Sequence, residues 1–164
     1  MVFRTCIGFV HNKDDADDLT QDIFIQAYQS LSRFKSKAAF STWLYRIAVN
    51  ASLNKVRKSS KNLILQRIDA FFGTEKSKDL TFSPSDMEDP ENILIRQEHI
   101  EWIRRTLDSL PENQRTAIVL SKYDDLSQKE IAEIMKTTEG AVEALLQRAK
   151  KNLREKLSVH RKNK

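Results

Sequence analysis

A chain of 164 residues with three glycines, three prolines and 31% charged residues has room for one ordinary domain or two small ones, and it is expected to be all-α. The net charge of +5 and pI near 9.3 suit a nucleic-acid partner without requiring one. A single cysteine, Cys6, excludes an internal disulfide framework and a multi-cysteine zinc site, and His11, His99 and His160 are too scattered to form a metal-ligand pair. No stretch reads as a membrane span or a signal peptide, so a soluble cytoplasmic protein without membrane insertion or cofactor is expected.

Residues 1–11, MVFRTCIGFVH, read as the last turns of a helix, with Phe3, Ile7 and Val10 at helical steps but too few residues before them to complete a packing partner. A second helix follows, capped by Asp14 or Asp15. Ala16, Leu19, Ile23, Ala27 and Leu31 form its apolar stripe, flanked by Phe24, Tyr28 and Phe34. Asp14, Asp15, Asp17, Asp18 and Asp22 crowd the first turns, where the helix dipole favours negative charge. Three readings stand open for them: a metal site, an acidic docking face for a basic partner, or a solvated helix start. A metal site needs carboxylates from several elements, and the rest of the chain offers no obvious companions.

The next helix carries FSTWLYRIAVNASLNKVRK. Phe40, Trp43, Leu44, Ile47, Ala48 and Ala51 line one face, and Arg46, Asn50, Asn54, Lys55, Arg57 and Lys58 another. No acidic residue occurs between Phe34 and Asp69, so the second face is basic. Asn and Arg together suit base edges as well as phosphates. Trp43 has the chemistry to stack on a base, yet a Trp within an apolar stripe reads first as core. From Ser59 to Pro90 periodicity weakens into a stretch rich in Ser, Asp, Glu and Pro, and residues 61–90 are read as a flexible linker.

Helical periodicity resumes at Glu91, with Ile93, Ile100, Ile103, Leu107 and Leu110 expected to be buried, and Pro111 opens a further helix. Then comes LSQKEIAEIMKTTEGAVEALLQR. Ser127 three residues before Glu130 is a capping-box spacing, and Ile131, Ile134 and Met135 give a short apolar face. Thr138 starts a second helix, whose inner side is Val142, Leu145, Leu146, Ala149, Leu153 and Leu157. Two helices joined by so short a turn must cross steeply, as in a helix-turn-helix whose second helix enters the major groove. Arg148, Lys150, Lys151, Arg154 and Lys156 add a basic stripe suited to phosphates. Residues 1–60 and 91–164 thus read as two small helical domains on one tether, each with a basic face.

At this point DADDLTQDIFIQAY, FSTWLYRIAVN, and LPENQR with LSQKEIAEIM and GAVEALLQRAKKNL resemble regions 2 and 4 of the extracytoplasmic-function sigma factors, two-domain members of the sigma-70 family. The resemblance covers nearly everything but the linker. It implies that Asp17, Asp18, Gln21, Asp22 and Phe24 dock on the β′ clamp helices of core RNA polymerase and that region 4 meets its β flap. It implies further that Lys35, Lys37, Arg46, Asn50, Asn54, Lys55, Arg57 and Lys58 recognise the −10 element, with Asn50 helping to form a pocket for a flipped base. Ser127, Lys129, Thr138, Glu139, Gly140, Glu143, Ala144, Gln147, Arg148 and Lys151 would serve the −35 duplex. An anti-sigma factor is an expected partner, and no covalent chemistry is implied.

The chain departs from the family pattern twice. Further helices normally precede the point where this sequence begins, so region 2 reads as N-terminally clipped. The recognition helix also carries Glu143, Ala144 and Leu145 where a basic or hydroxyl run is frequent, so the −35 preference does not transfer. Two rivals remain. A stand-alone helix-turn-helix regulator leaves the Asp14–Asp22 helix and the Phe40–Lys58 face unexplained, and a metal-dependent nuclease or phosphotransferase lacks a Gly-rich phosphate loop or a His–Asp pairing.

Overall fold

The computed structural model describes the backbone of residues 1–35, 38–71 and 90–162, and the side chains of 1–35, 38–60 and 97–158. Every regular element among them is helical. Helix α1 spans Val2–Val10 and buries Val2, Thr5, Cys6, Gly8 and Phe9. It ends where His11 turns left-handed (φ 56°) and donates its N–H to the Ile7 carbonyl. Asn12, in an extended conformation, then caps α2 (Lys13–Ser30) by accepting from the Asp15 N–H at 3.0 Å. The cap is therefore Asn12 rather than Asp14 or Asp15, because an N-cap needs non-helical backbone and both aspartates already lie inside the helix.

Ala16, Leu19, Ile23 and Ala27 form the buried stripe of α2, as their spacing predicted. Leu31, at the end of that stripe, is 48% exposed, because the chain tightens there into a 3-10 turn, Leu31–Arg33, and loses the 3.6-residue register. Helix α3 (Phe40–Phe71) supplies Leu44 and Ala48 to the core made with Val2, Cys6, Ala16, Leu19, Ile23 and Ala27. Short as it is, α1 packs against both α2 and α3 and gives that core a third wall, so residues 1–11 are a working packing partner. Helix α3 also runs on through residues 61–71, where a linker was expected. SSKNLILQRIDAF contains neither Gly nor Pro, and Gly73 is the first residue that favours a break. The rest of the expected linker, residues 72–89, lies outside the described residues.

The second unit comprises α4 (Pro90–Asp108), α5 (Glu112–Tyr123), α6 (Gln128–Met135) and α7 (Glu139–Lys162). Ser127 caps α6 through the expected box: its hydroxyl accepts from the Glu130 N–H, and its own N–H donates to the Glu130 carboxylate at 2.9 Å. Lys136 takes the left-handed conformation (φ 55°) that ends α6, and Thr138 caps α7 by accepting from the Ala141 N–H at 3.2 Å. Val142, Leu146 and Ala149 turn inward onto α5 and α6, with Leu145 and Leu153 packed beside them. Ile100 and Ile103, expected in the core, are 42% and 37% exposed. They line an open groove beside Ile7 and Tyr123, and Thr106 and Leu110 are the α4-end residues that are buried.

The two units pack on each other. Phe9, Tyr45 and Val49 from the first share one core with Val119, Leu120, Ile131 and Ile134 from the second. Gly8 explains how α1 and α5 come so close, since a Cβ there would stand 2.8 Å from Val119 Cγ1 and 3.1 Å from the Tyr123 ring. A mid-helix glycine costs about 1 kcal/mol relative to alanine, and here it admits a neighbouring helix.

Candidate nucleic-acid interface

Because Val142, Leu146 and Ala149 anchor α7, the residues between them face out. Glu139, Gly140, Glu143, Gln147, Arg148 and Lys151 are exposed and Ala144 is half-buried, so the α7 members of the sequence-predicted −35 set lie along one accessible helix. Gln147 Nε2 donates to Glu143 Oε1 at 3.3 Å, and Lys151 lies 3.9 Å from Glu155. Lys129 on α6 is exposed. Ser127 and Thr138 are also at the surface, but their hydroxyls are engaged as helix caps. The hydrogen bond from Ser127 holds the Glu130 carboxyl below the usual carboxylate range.

The basic face of α3 is accounted for differently. Asn50, Asn54, Lys55, Arg57 and Lys58 are exposed, as is Lys35 ahead of the helix; Lys37 lies outside the described residues. Three of the cations already have partners. Arg46 donates from Nη2 to the Glu133 carbonyl at 2.6 Å and from Nε to the Ile134 carbonyl at 3.3 Å. Arg57 makes a two-pronged contact with Glu112 at 2.6 and 2.5 Å, which lowers the Glu112 pKa and raises that of Arg57. Lys55 pairs with Asp15 at 2.8 Å, and that hydrogen bond raises the ammonium's pKa. Asn50 lines a cleft of about 300 Å³ shared by Arg46, Asn113, Ile134 and Lys136. Trp43 is held between Phe34 and Phe40, with ring centroids 5.2 and 5.4 Å away, and packs against the first unit's core.

On α2 the side chains of Asp17, Asp18, Gln21, Asp22 and Phe24 are all exposed. Beside them Ile25 is 56% and Tyr28 81% exposed, so the helix shows solvent an apolar row edged with carboxylates. A helix serving only its own core would not place such residues there. Among the described residues, no three His, Cys, Asp or Glu side chains gather into a group that could hold a metal ion, and no helix is long and apolar enough to cross a membrane.

Sequence reasoning missed the polar seam between the units. Thr5 on α1 donates to Asp124 at 2.6 Å, and both side chains are buried. Arg115, 4% exposed, donates to the Phe9 carbonyl and pairs with Asp108 at 2.6 Å, while His11 Nε2 meets the same carboxylate at 3.1 Å. Burial pulls the Arg115 pKa down, with the Asp108 carboxylate opposing it. The one trace of this seam in the sequence was a glycine within a nine-residue helix.

Comparison with known proteins agrees with this architecture. The family model for sigma-70 region 2 matches residues 1–62, and that for sigma-70 region 4 matches residues 100–153. The chain is 35% identical over 143 residues to the ECF RNA polymerase sigma-E factor of Escherichia coli K12, covering 87% of this chain and 74% of that protein. It is 33% identical over 156 residues to the ECF RNA polymerase sigma factor SigW of Bacillus subtilis, covering 95% and 82%. The structure of the sigma factor RpoE in complex with the anti-sigma factor NepR from Bartonella quintana shares the fold, with a TM-score of 0.61 at 22% identity over 96% of this chain and 90% of that one. A region 2 match, a region 4 match and relatives above 30% identity across most of both chains lead to one conclusion: the chain belongs to the extracytoplasmic-function sigma factors of the sigma-70 family.

Proposed function

We propose that this protein directs core RNA polymerase to promoters, docking on the enzyme through α2, reading the −35 duplex with α7 and the melted −10 strand with α3. The observation that carries the reading is the exposed face of α2, where Phe24, Ile25 and Tyr28 lie beside Asp17, Asp18, Gln21 and Asp22. A stand-alone helix-turn-helix regulator has no use for such a face, whereas a subunit that must ride on the β′ clamp helices does. The exposed row from Glu139 to Lys151 supports a major-groove role for α7, and its cations suit the flanking phosphates. Residues 1–60 would then act as region 2 and 91–164 as region 4, the latter also meeting the β flap. No covalent step is asked of any side chain. An anti-sigma factor is an expected partner, since the structural relative is held in such a complex.

Run-off transcription with purified bacterial core polymerase tests the proposal. Promoter-specific transcript, lost on Asp18→Ala with Asp22→Ala through weaker core binding, is the expected result. Duplex DNA binding with no affinity for core would instead identify the regulator. Within the same assay Asn50→Ala should impair promoter opening and leave duplex binding by α7 intact; equal loss of both would remove Asn50 from strand recognition.

A further inference from the structure

We infer that Glu143 and Gln147 are the base-reading pair of α7 and that they select amino bases on one strand of the duplex, a cytosine at Glu143 and an adenine at Gln147. This rests on the assignment of α7 to the duplex. Both side chains are exposed, one helical turn apart on the accessible face, with Gly140 and the half-buried Ala144 beside them. A Cβ on Gly140 would meet nothing within 4 Å, so no element of the fold stands over this part of the helix. Glu139 lies in the first turn, where the helix dipole accounts for a carboxylate. Glu143 lies beyond that turn, and among the described residues no cation pairs with it. An unneutralised carboxylate on a helix that approaches phosphates weakens binding to every sequence alike. What Glu143 offers the groove is an acceptor that can be satisfied by only some of the bases.

The contact between the two side chains fixes what each presents. A carboxylate only accepts, so the Gln147 amide turns its NH2 toward Glu143, and Nε2 donates to Oε1 at 3.3 Å. The amide oxygen is thereby turned away, with one N–H left over. The pair then shows the groove two acceptors, the second carboxylate oxygen and the amide oxygen, and a single donor. In the major groove the donors are the exocyclic amines of cytosine and adenine, whereas guanine and thymine show acceptors at these edges. Cytosine N4 satisfies the carboxylate. Adenine brings its N7 acceptor against that charge, but its N6 and N7 together match the remaining acceptor and donor of the amide. Guanine at Glu143 sets O6 and N7 against a negative charge. Four residues of helix rise about 6 Å, a little under two base steps of about 3.4 Å, so the two bases are adjacent or one position apart. Glu143 is thus a reader and also the residue that positions Gln147.

The test is selection by the full chain, alone and assembled with bacterial core polymerase, from a pool of randomised duplexes read by sequencing. The wild type should enrich cytosine and adenine on one strand, adjacent or one apart, about tenfold over guanine and thymine at those positions. Glu143→Gln should bind a mixed-sequence duplex more tightly, having shed a negative charge, and yet lose the cytosine preference. Glu143→Arg should exchange cytosine for guanine, whose O6 and N7 accept from a guanidinium. Gln147→Ala should lose adenine and keep cytosine. Glu143→Ala should loosen both positions, because the released amide can turn its NH2 toward guanine. A side chain that only stabilised α7 would change affinity and leave base preference as it was. That result for the Glu143 variants would overturn the pair, as would enrichment lacking cytosine and adenine, or no enrichment at all. Core binding keeps the two readings apart. A chain that selects cytosine and adenine without binding core would retain the pair and count against docking on polymerase, while one that binds core and shows no such preference would overturn the pair alone.

Discussion

Phe9 belongs to α1 by sequence but to the shared core by contact, and that predicts an unusual pattern of destabilisation. Its ring is 1% exposed and lies 5.4 Å from the Arg115 guanidinium, among side chains contributed mainly by α5, α6 and α7. Phe→Ala in such a place costs about 3–5 kcal/mol, the lost transfer energy plus the cavity. For a chain of this size that is a fall in Tm of about 6–20 °C. The α4–α7 unit cannot feel more of this loss than the free energy of docking itself, since undocking relieves it. Ile23, 0% exposed, packs only in the core of the first unit, so Ile23→Ala should cost about 2–5 kcal/mol there. The two tryptophans, Trp43 in the first unit and Trp102 in the second, allow the units to be followed separately. In Trp102→Phe and Trp43→Phe backgrounds, urea unfolding by fluorescence should show Phe9→Ala lowering the midpoint of both reporters. Ile23→Ala should act mainly on Trp43. A Trp102 midpoint unmoved by Phe9→Ala would refute the shared core.

Ser127→Ala removes a capping box and should cost about 1 kcal/mol, read as a lower urea midpoint for Trp102 with the m-value unchanged. Arg148→Ala should reduce the slope of log K against log salt for duplex binding by about 0.9 if the side chain neutralises one phosphate; an unaltered slope would place Arg148 away from the backbone. The Glu112 pKa is depressed below its ordinary value of 4.5, first by the Arg57 hydrogen bond and further by the charges of Arg57 and Arg115. The small contribution of this exposed pair to stability is thus complete above pH 4.5 and disappears as pH falls through the lower folded value. Urea midpoints followed as pH falls below 4.5 should drop slightly further in the wild type than in Glu112→Gln, and equal drops would show that the pair adds nothing.

The helices were legible because their signals are local. The steps Ala16, Leu19, Ile23, Ala27 and Val142, Leu146, Ala149 mark buried stripes, and the Ser127–Glu130 spacing marks a start, whatever the remainder of the chain does. The position of Asn50 on a basic face was legible for the same reason. What covers that face was not. Arg46 meets main-chain carbonyls, which leave no mark in composition, and Asp108, Glu112 and Asp124 read in sequence only as ordinary acidic residues at helix ends. Ile100 and Ile103 have the periodicity of a core stripe, but periodicity reports amphipathicity and not which surface meets it. Gly8 was visible, but its meaning depended on a partner helix more than 100 residues away in sequence.

The hold on Arg46 has a consequence for how such a protein changes over time. Its acceptors are carbonyls in the last turn of α6, the negative end of a helix dipole. A contact made by main chain is inherited with the helix and not with its side chains. The exposed side chains of α6, Gln128, Lys129 and Glu133 among them, can therefore change while the grip on Arg46 persists. The region 2 side of that contact, in contrast, hangs on one guanidinium, so α3 is the partner under constraint and α6 is the partner at liberty.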